Sequence, residues 1–129
     1  MPFPVSIKGV LLESGRVALL ENERGEWELP GGRLEDDEAP EQCLAREFAE
    51  ELGIAVSVVS IADCWVYEVL PRRRVVIVTY RVQRHGRGDL RVSAEHRRCG
   101  WFGLADLQRL NMPEGYRRSI RACAAGPPR

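Results

Sequence analysis

Residues 32–54 constrain the fold of this chain more than any other stretch. They read GRLEDDEAPEQCLAREFAEELGI, and the second half has the spacing of one amphipathic helix. Pro40 suits the first turn, where the N–H that proline lacks would be unpaired, and Gly53 suits the end, where a left-handed residue is often needed. Apolar residues recur at every fourth position between them: Leu44, Phe48 and Leu52. The pattern predicts a helix that begins after Ala39 and buries one side in a core.

Three carboxylates lie beside this apolar stripe on the same helix. At about 100° per residue, Glu47, Glu50 and Glu51 fall on one arc of the helix surface. Like charges at this spacing repel by a few tenths of a kcal/mol per pair, so a compensating cation is expected. Magnesium takes oxygen ligands and is usually held by a few carboxylates together with substrate phosphates. The spacing therefore favours a divalent metal site on this helix.

The same segment resembles the signature of the Nudix hydrolases, G-x5-E-x7-R-E-U-x-E-E-x-G-U, where U is a bulky apolar residue. The fixed positions are filled by Gly32, Glu38, Arg46, Glu47, Glu50, Glu51 and Gly53, and the apolar ones by Phe48 and Ile54. An aromatic residue at the first apolar position is a mild departure from the usual aliphatic one. The preceding Trp-Glu-Leu-Pro-Gly, residues 27–31, also resembles the family's lead-in to this box.

The resemblance implies the fold. It is an α/β fold, an α/β/α sandwich around a mixed β-sheet, in which the box forms a loop–helix–loop. The length of 129 residues suits one domain, so residues 1–129 are expected to form a single Nudix domain. Apolar and β-branched runs predict strands at 5–12, 16–21, 27–29, 54–61, 64–70, 75–83 and 101–102. Two further short helices are predicted at 104–110 and 113–124.

The resemblance also implies a site. Mg²⁺, with Mn²⁺ as the alternative ion, would be held by Glu47, Glu50, Glu51 and the carbonyl of Gly31. Glu47 or Glu50 would take the proton of the attacking water, and the sequence leaves both open. Arg46 would orient a carboxylate through a two-point contact. Glu95 resembles the position of an extra carboxylate that binds metal or assists the water, and an exposed loop residue is the equal alternative.

The implied reaction is hydrolysis of the pyrophosphate linkage in a nucleoside diphosphate linked to another group. ADP-ribose or a related sugar nucleotide is the first expectation, and a (d)NTP is the alternative. A non-catalytic nucleotide-binding module is the competing function, but silent versions usually lose box glutamates that this chain keeps. Four aromatic residues could stack on a base or belong to the core: Trp27, Trp65, Tyr67 and Tyr80.

Composition narrows the partners and the compartment. Residues 1–54 carry 5 Lys/Arg and 13 Asp/Glu, whereas residues 55–129 carry 14 Arg and 6 Asp/Glu. The arginines could hold phosphates or form a solvated surface, but zero net charge argues against a nucleic-acid platform. No apolar run approaches the ~18 residues of a membrane span. Scattered cysteines and the absence of a secretory signal predict free thiols and a cytoplasmic location. A homodimer is compatible with the resemblance.

Overall fold

The computed structural model describes residues 3–126. Within that range the strands are β1 (Val5–Glu13), β2 (Arg16–Glu21), β3 (Trp27–Glu28), β4 (Gly31–Arg33), β5 (Ala55–Leu70), β6 (Arg73–His85) and β7 (Arg98–Gly103). The helices are α1 (Pro40–Leu52), α2 (Glu114–Ala124) and a 3₁₀ helix (Leu104–Arg109). Neither α-helix in this range has the length and apolar character needed to span a bilayer. The four cysteines are free thiols, as predicted.

The strands form one mixed sheet with helices packed around it. The strand order is β3-β2-β1-β6-β5, with β4 added to β1 and β7 added to β2. β1 and β6 run parallel, and the other described pairs are antiparallel. Alternate residues of β1 serve two cores: Ile7 and Leu11 pack with α1, whereas Val10 packs with α2. The α/β class and the predicted sandwich are confirmed.

Helix α1 begins and ends where the residue pattern predicts. Its apolar stripe is fully buried: Leu44, Phe48 and Leu52. Ala39 is the extended N-cap residue and offers no side-chain acceptor, while its N–H donates to Oε1 of Gln42 at 2.9 Å. Gly53 adopts a left-handed φ of 69°, and its N–H donates to the carbonyl of Ala49. The missing side-chain cap costs about 1 kcal/mol, which burial of the stripe far exceeds.

The prediction of two separate strands at 54–61 and 64–70 was wrong, because Ala55–Leu70 form a single strand. The structure has one strand, β5, that pairs with β6 along its whole length. The register shifts between Val58 and Ser60 and again between Ile61 and Asp63. Each shift is a bulge that absorbs an extra residue without ending the pairing. The helix predicted at 104–110 is a 3₁₀ helix, and α2 starts one residue after the predicted Pro113.

The packing of α1 on β1 depends on the absence of a side chain at Gly9. A Cβ there would lie 2.6 Å from the ring of Phe48 and 3.3 Å from Leu44.

Gly9→Ala is therefore expected to lower the free energy of unfolding by about 1–3 kcal/mol, because the added methyl group would collide with the Phe48 ring. Gly100→Ala is the matched control, since its Cβ would meet ordinary contacts at 3.5 Å and beyond. Urea denaturation of both variants measures the difference. A Gly9→Ala protein as stable as wild type would contradict this packing.

Candidate active site

The candidate site is built where α1 crosses the two glycines of β4. Oε1 of Glu51 accepts a buried hydrogen bond of 2.8 Å from the N–H of Gly31. The carboxylate of Glu47 lies directly over Gly32, where a Cβ would collide with its oxygens. Gly31 itself has a φ of 139°, and a Cβ there would overlap the backbone of Ile7. Gly32 is therefore required for a helix carboxylate to approach this strand, and Gly31 is required for the strand to lie beside β1.

Arg46 collects the remaining box carboxylates around one guanidinium. Its Nε and Nη2 donate to the two oxygens of Glu38 at 2.8 and 3.2 Å, which is the predicted two-point contact. Its Nη1 donates to Oε1 of Glu47 at 3.1 Å and to Oε2 of Glu50 at 3.4 Å. The hydrogen bonds from Arg46 lower the pKa of Glu38 to about 2. Arg46 thus supplies local positive charge to the predicted metal-binding face.

Two of the three helix carboxylates are held in low-dielectric surroundings. Glu51 is 4% exposed, and burial raises its pKa to about 7 although Lys8 and the Gly31 N–H act in the opposite direction. Burial also raises the pKa of Glu47. Glu50 remains on the surface, with 59% of its side chain exposed. Burial makes negative charge unfavourable at Glu47 and Glu51, so a bound cation would be stabilising there.

The residues suit a divalent ion in their chemistry. Three carboxylates within one turn of α1, together with the backbone carbonyls of the adjacent glycines, provide the oxygen donors that Mg²⁺ prefers. In residues 3–126, however, no three His, Cys, Asp or Glu side chains surround a common point closely enough to hold a metal. The contacts divide the three carboxylates into two groups: Arg46 pairs with Glu47 and Glu50, and the N–H of Gly31 pairs with Glu51.

Three charged residues that the sequence did not identify belong to the site. His96 lies beside Glu51 and contacts Glu28, which in turn pairs with Lys8, and all three side chains are no more than 16% exposed. Lys8 and the hydrogen bond from His96 lower the pKa of Glu28 to about 2 against the opposing effect of burial. The only sequence signal was a lysine inside the apolar strand β1. Nothing local indicated which partner it would meet.

Glu95 does not join the other predicted residues. It is exposed in the loop before β7, and no hydrogen bond or ion pair of the described residues connects it to α1. Its neighbour His96 points into the site instead. A role for Glu95 as an extra carboxylate stays a prediction.

The aromatic residues proposed for base stacking are buried or partly buried and pack against the two cores. Trp27 is buried and packs edge-on against Phe102 with ring centroids 4.6 Å apart, so it belongs to the core. Trp65 packs edge-on against Tyr116 at 5.1 Å. The hydroxyl of Tyr67 donates to Oε2 of Glu26 at 3.0 Å. These contacts account for the three rings without a nucleotide.

Comparison with known proteins decides the family, since the model of the NUDIX domain matches residues 2–123. The chain belongs to the Nudix family. A "MutT-like protein" of Streptomyces ambofaciens is 42% identical over 100 residues, which are 76% of this chain and 62% of that protein. An "8-oxo-dGTP diphosphatase" of Proteus vulgaris is 45% identical over 53 residues, 41% of this chain and 46% of that protein. The chain thus spans less than two thirds of these two relatives.

A solved structure supports the same assignment over nearly the whole chain. The MutT protein of Methanosarcina mazei Go1 superposes with a TM-score of 0.82 and 28% sequence identity. The match covers 98% of this chain and 97% of that one. The Nudix resemblance of the box is therefore confirmed by sequence and by fold.

The raised pKa values predict an unusual pH dependence for the metal-free protein. Glu51 binds its proton more tightly folded than unfolded, so stability from this group falls as pH rises from about 4.5 to about 7. Glu47 and His96, whose pKa values are also raised, act in the same direction. Melting in the presence of a chelator should give a lower Tm at pH 8 than at pH 5.

Glu51→Gln is expected to reduce that difference, because the substituted side chain cannot ionise. Glu28 and Glu38 do not interfere, since their lowered pKa values affect stability only below about 4.5. A Tm that rises from pH 5 to pH 8 in both proteins would contradict the buried setting of Glu51.

Proposed function

We propose that this Nudix protein is a Mg²⁺-dependent hydrolase that cleaves a phosphoanhydride bond of a nucleotide. One observation carries the proposal: α1 sets Glu47, Glu50 and Glu51 within one turn, and Glu47 and Glu51 lie against the glycine backbone of β4. The complete set of box glutamates also favours an enzyme over a silent binding module. The diphosphatase names of relatives belong to those proteins and support the same reaction class here.

The proposed ligands of Mg²⁺ are the side chains of Glu47, Glu50 and Glu51 and the carbonyl of Gly31, with Mn²⁺ as the alternative ion. A divalent ion bound there would neutralise phosphate charge and make a bound water more acidic. Glu47 is the better candidate to accept the proton of the attacking water, because its carboxylate lies over Gly32 and burial raises its pKa. Arg46 keeps the carboxylates oriented through its contacts to Glu38 and Glu47.

The reaction adds water to one phosphorus and breaks the bridging P–O bond. The products are a nucleoside monophosphate and a second phosphorylated product. The similarity to a protein named for 8-oxo-dGTP favours a (d)NTP, the alternative substrate expected from the sequence. ADP-ribose or another sugar nucleotide stays the competing prediction.

Free thiols support the proposed cytoplasmic location. A homodimer stays a prediction.

Substitution of one helix carboxylate tests the reaction directly. Glu50→Gln is expected to lower Mg²⁺-dependent turnover by several orders of magnitude, because it removes a charged oxygen donor without changing side-chain size. Glu41→Gln is the matched control, since Glu41 is an exposed residue in the first turn of the same helix. Product release from (d)NTPs, 8-oxo-dGTP, ADP-ribose and UDP-sugars would be measured by chromatography.

The same panel separates the substrate classes and the competing function. Pyrophosphate released from nucleoside triphosphates would support the (d)NTP reading, whereas AMP and ribose 5-phosphate would support ADP-ribose. Chelation of divalent ions should abolish turnover, and added Mg²⁺ should restore it. If wild type and Glu50→Gln released the same amount of product from every nucleotide, the hydrolase proposal would be wrong and a binding module would be favoured.

A further inference from the structure

A buried charged cluster, formed by Lys8, Glu28, Glu51 and His96, joins four separate segments of the chain. Lys8 comes from β1, Glu28 from β3, Glu51 from α1 and His96 from the loop before β7. Their side chains are 9%, 16%, 5% and 9% exposed, respectively. Charged groups are expensive to bury unless they are paired, so four together in a small domain call for a reason.

The contacts in this cluster converge on both oxygens of Glu28. Nε2 of His96 lies 3.2 Å from Oε1 of Glu28, and Nζ of Lys8 lies 4.0 Å from Oε2. The amide of Asn22 also donates to Oε2 at 3.3 Å. On its other side, the ring nitrogen Nδ1 of His96 lies 3.4 Å from Oγ of Ser93. The imidazole is therefore held at both nitrogens.

The cluster extends from Glu28 to the box through one atom. The same Nε2 of His96 lies 3.6 Å from Oε2 of Glu51, whose Oε1 already accepts the N–H of Gly31. Each oxygen of Glu51 thus faces a nitrogen. Oε1 faces the backbone nitrogen of Gly31 in β4, and Oε2 faces Nε2 of His96, which Glu28 holds in place. The hydrogen bond from Gly31 and the close approach of the imidazole restrict the rotamers of the Glu51 side chain before any ligand arrives.

We propose that Lys8 and His96 are positioning residues that preset the carboxylate of Glu51 for a divalent cation. His96 acts on Glu51 directly, and Lys8 acts through Glu28, which fixes the imidazole. A ligand that is already oriented loses less freedom when the ion binds, and groups that orient metal ligands typically change affinity 10–100-fold. The inference rests on the proposed metal-dependent function and adds residues outside the box to it.

Removal of Lys8 separates this role from simple repulsion of the ion, because the two predict opposite signs when binding is measured well above the pKa of Glu51, where protons do not compete with Mn²⁺ in either protein. If Lys8 only repels a cation, Lys8→Met should make Mn²⁺ bind more tightly. If Lys8 positions Glu51 through Glu28, the same variant should bind Mn²⁺ roughly 10-fold more weakly. Binding of Mn²⁺ alone to metal-free protein, followed by the EPR signal of the free ion, gives this affinity without substrate or turnover.

Histidine variants supply the rescue and the matched control. His96→Ala should weaken Mn²⁺ binding by roughly the same factor, and His96→Gln should recover most of it because its amide can donate where Nε2 does. His85→Ala should leave the affinity unchanged, since His85 is exposed and contacts Ser57 away from the cluster. Thermal melting of each variant confirms that the folded protein is being measured.

Each outcome bears on the proposal. Folded Lys8→Met and His96→Ala proteins that bind Mn²⁺ as tightly as wild type, or more tightly, would overturn the positioning role and leave the proposed function intact. A wild-type protein that binds no Mn²⁺ would overturn both. If His96→Ala does not fold, Lys8→Met decides alone. Methionine has a side chain of similar length to lysine and is expected to fit the same position of β1.

Discussion

The structure depends on the close approach of α1 to the glycine backbone of β4. The buried hydrogen bond from the N–H of Gly31 to Glu51 fixes the helix against the strand, and Gly32 leaves room for the carboxylate of Glu47. Burial of Leu44 and Phe48 stabilises this arrangement from the adjoining face of the helix. Acidic side chains can occupy a nearly buried position only because hydrophobic packing holds the helix that carries them.

The positive charge that the site uses does not come from the arginines of the basic half of the chain. Although residues 1–54 are acidic and residues 55–129 are basic, many arginines of the second half pair with carboxylates away from α1. Examples are Arg84 with Glu13, Arg98 with Glu21 and Arg118 with Asp63. The positive charge at the site comes instead from Arg46 and Lys8, which both belong to the acidic half.

Helix α1 could be predicted from the sequence because its determinants are local. Pro40, the four-residue apolar spacing and Gly53 lie within one segment. The resemblance indicated that Arg46 would orient a carboxylate, but the structure was needed to identify Glu38 as that partner. The continuity of β5 could not be predicted, since a bulge looks like the end of a strand in the sequence. The cluster of Lys8, Glu28 and His96 forms only when β1, β3 and a distant loop meet, so no local pattern reveals it.

The central claim is that the carboxylates of one helix turn and the glycine backbone beside it bind a divalent cation. Anomalous diffraction from a crystal grown with Mn²⁺ measures this most directly, because the peak locates the ion independently of any activity. The account predicts a peak within coordination distance of oxygens from Glu47, Glu50 and Glu51, beside the Gly31 carbonyl. Full occupancy elsewhere, with these three side chains keeping their contacts to Arg46 and Gly31, would contradict it.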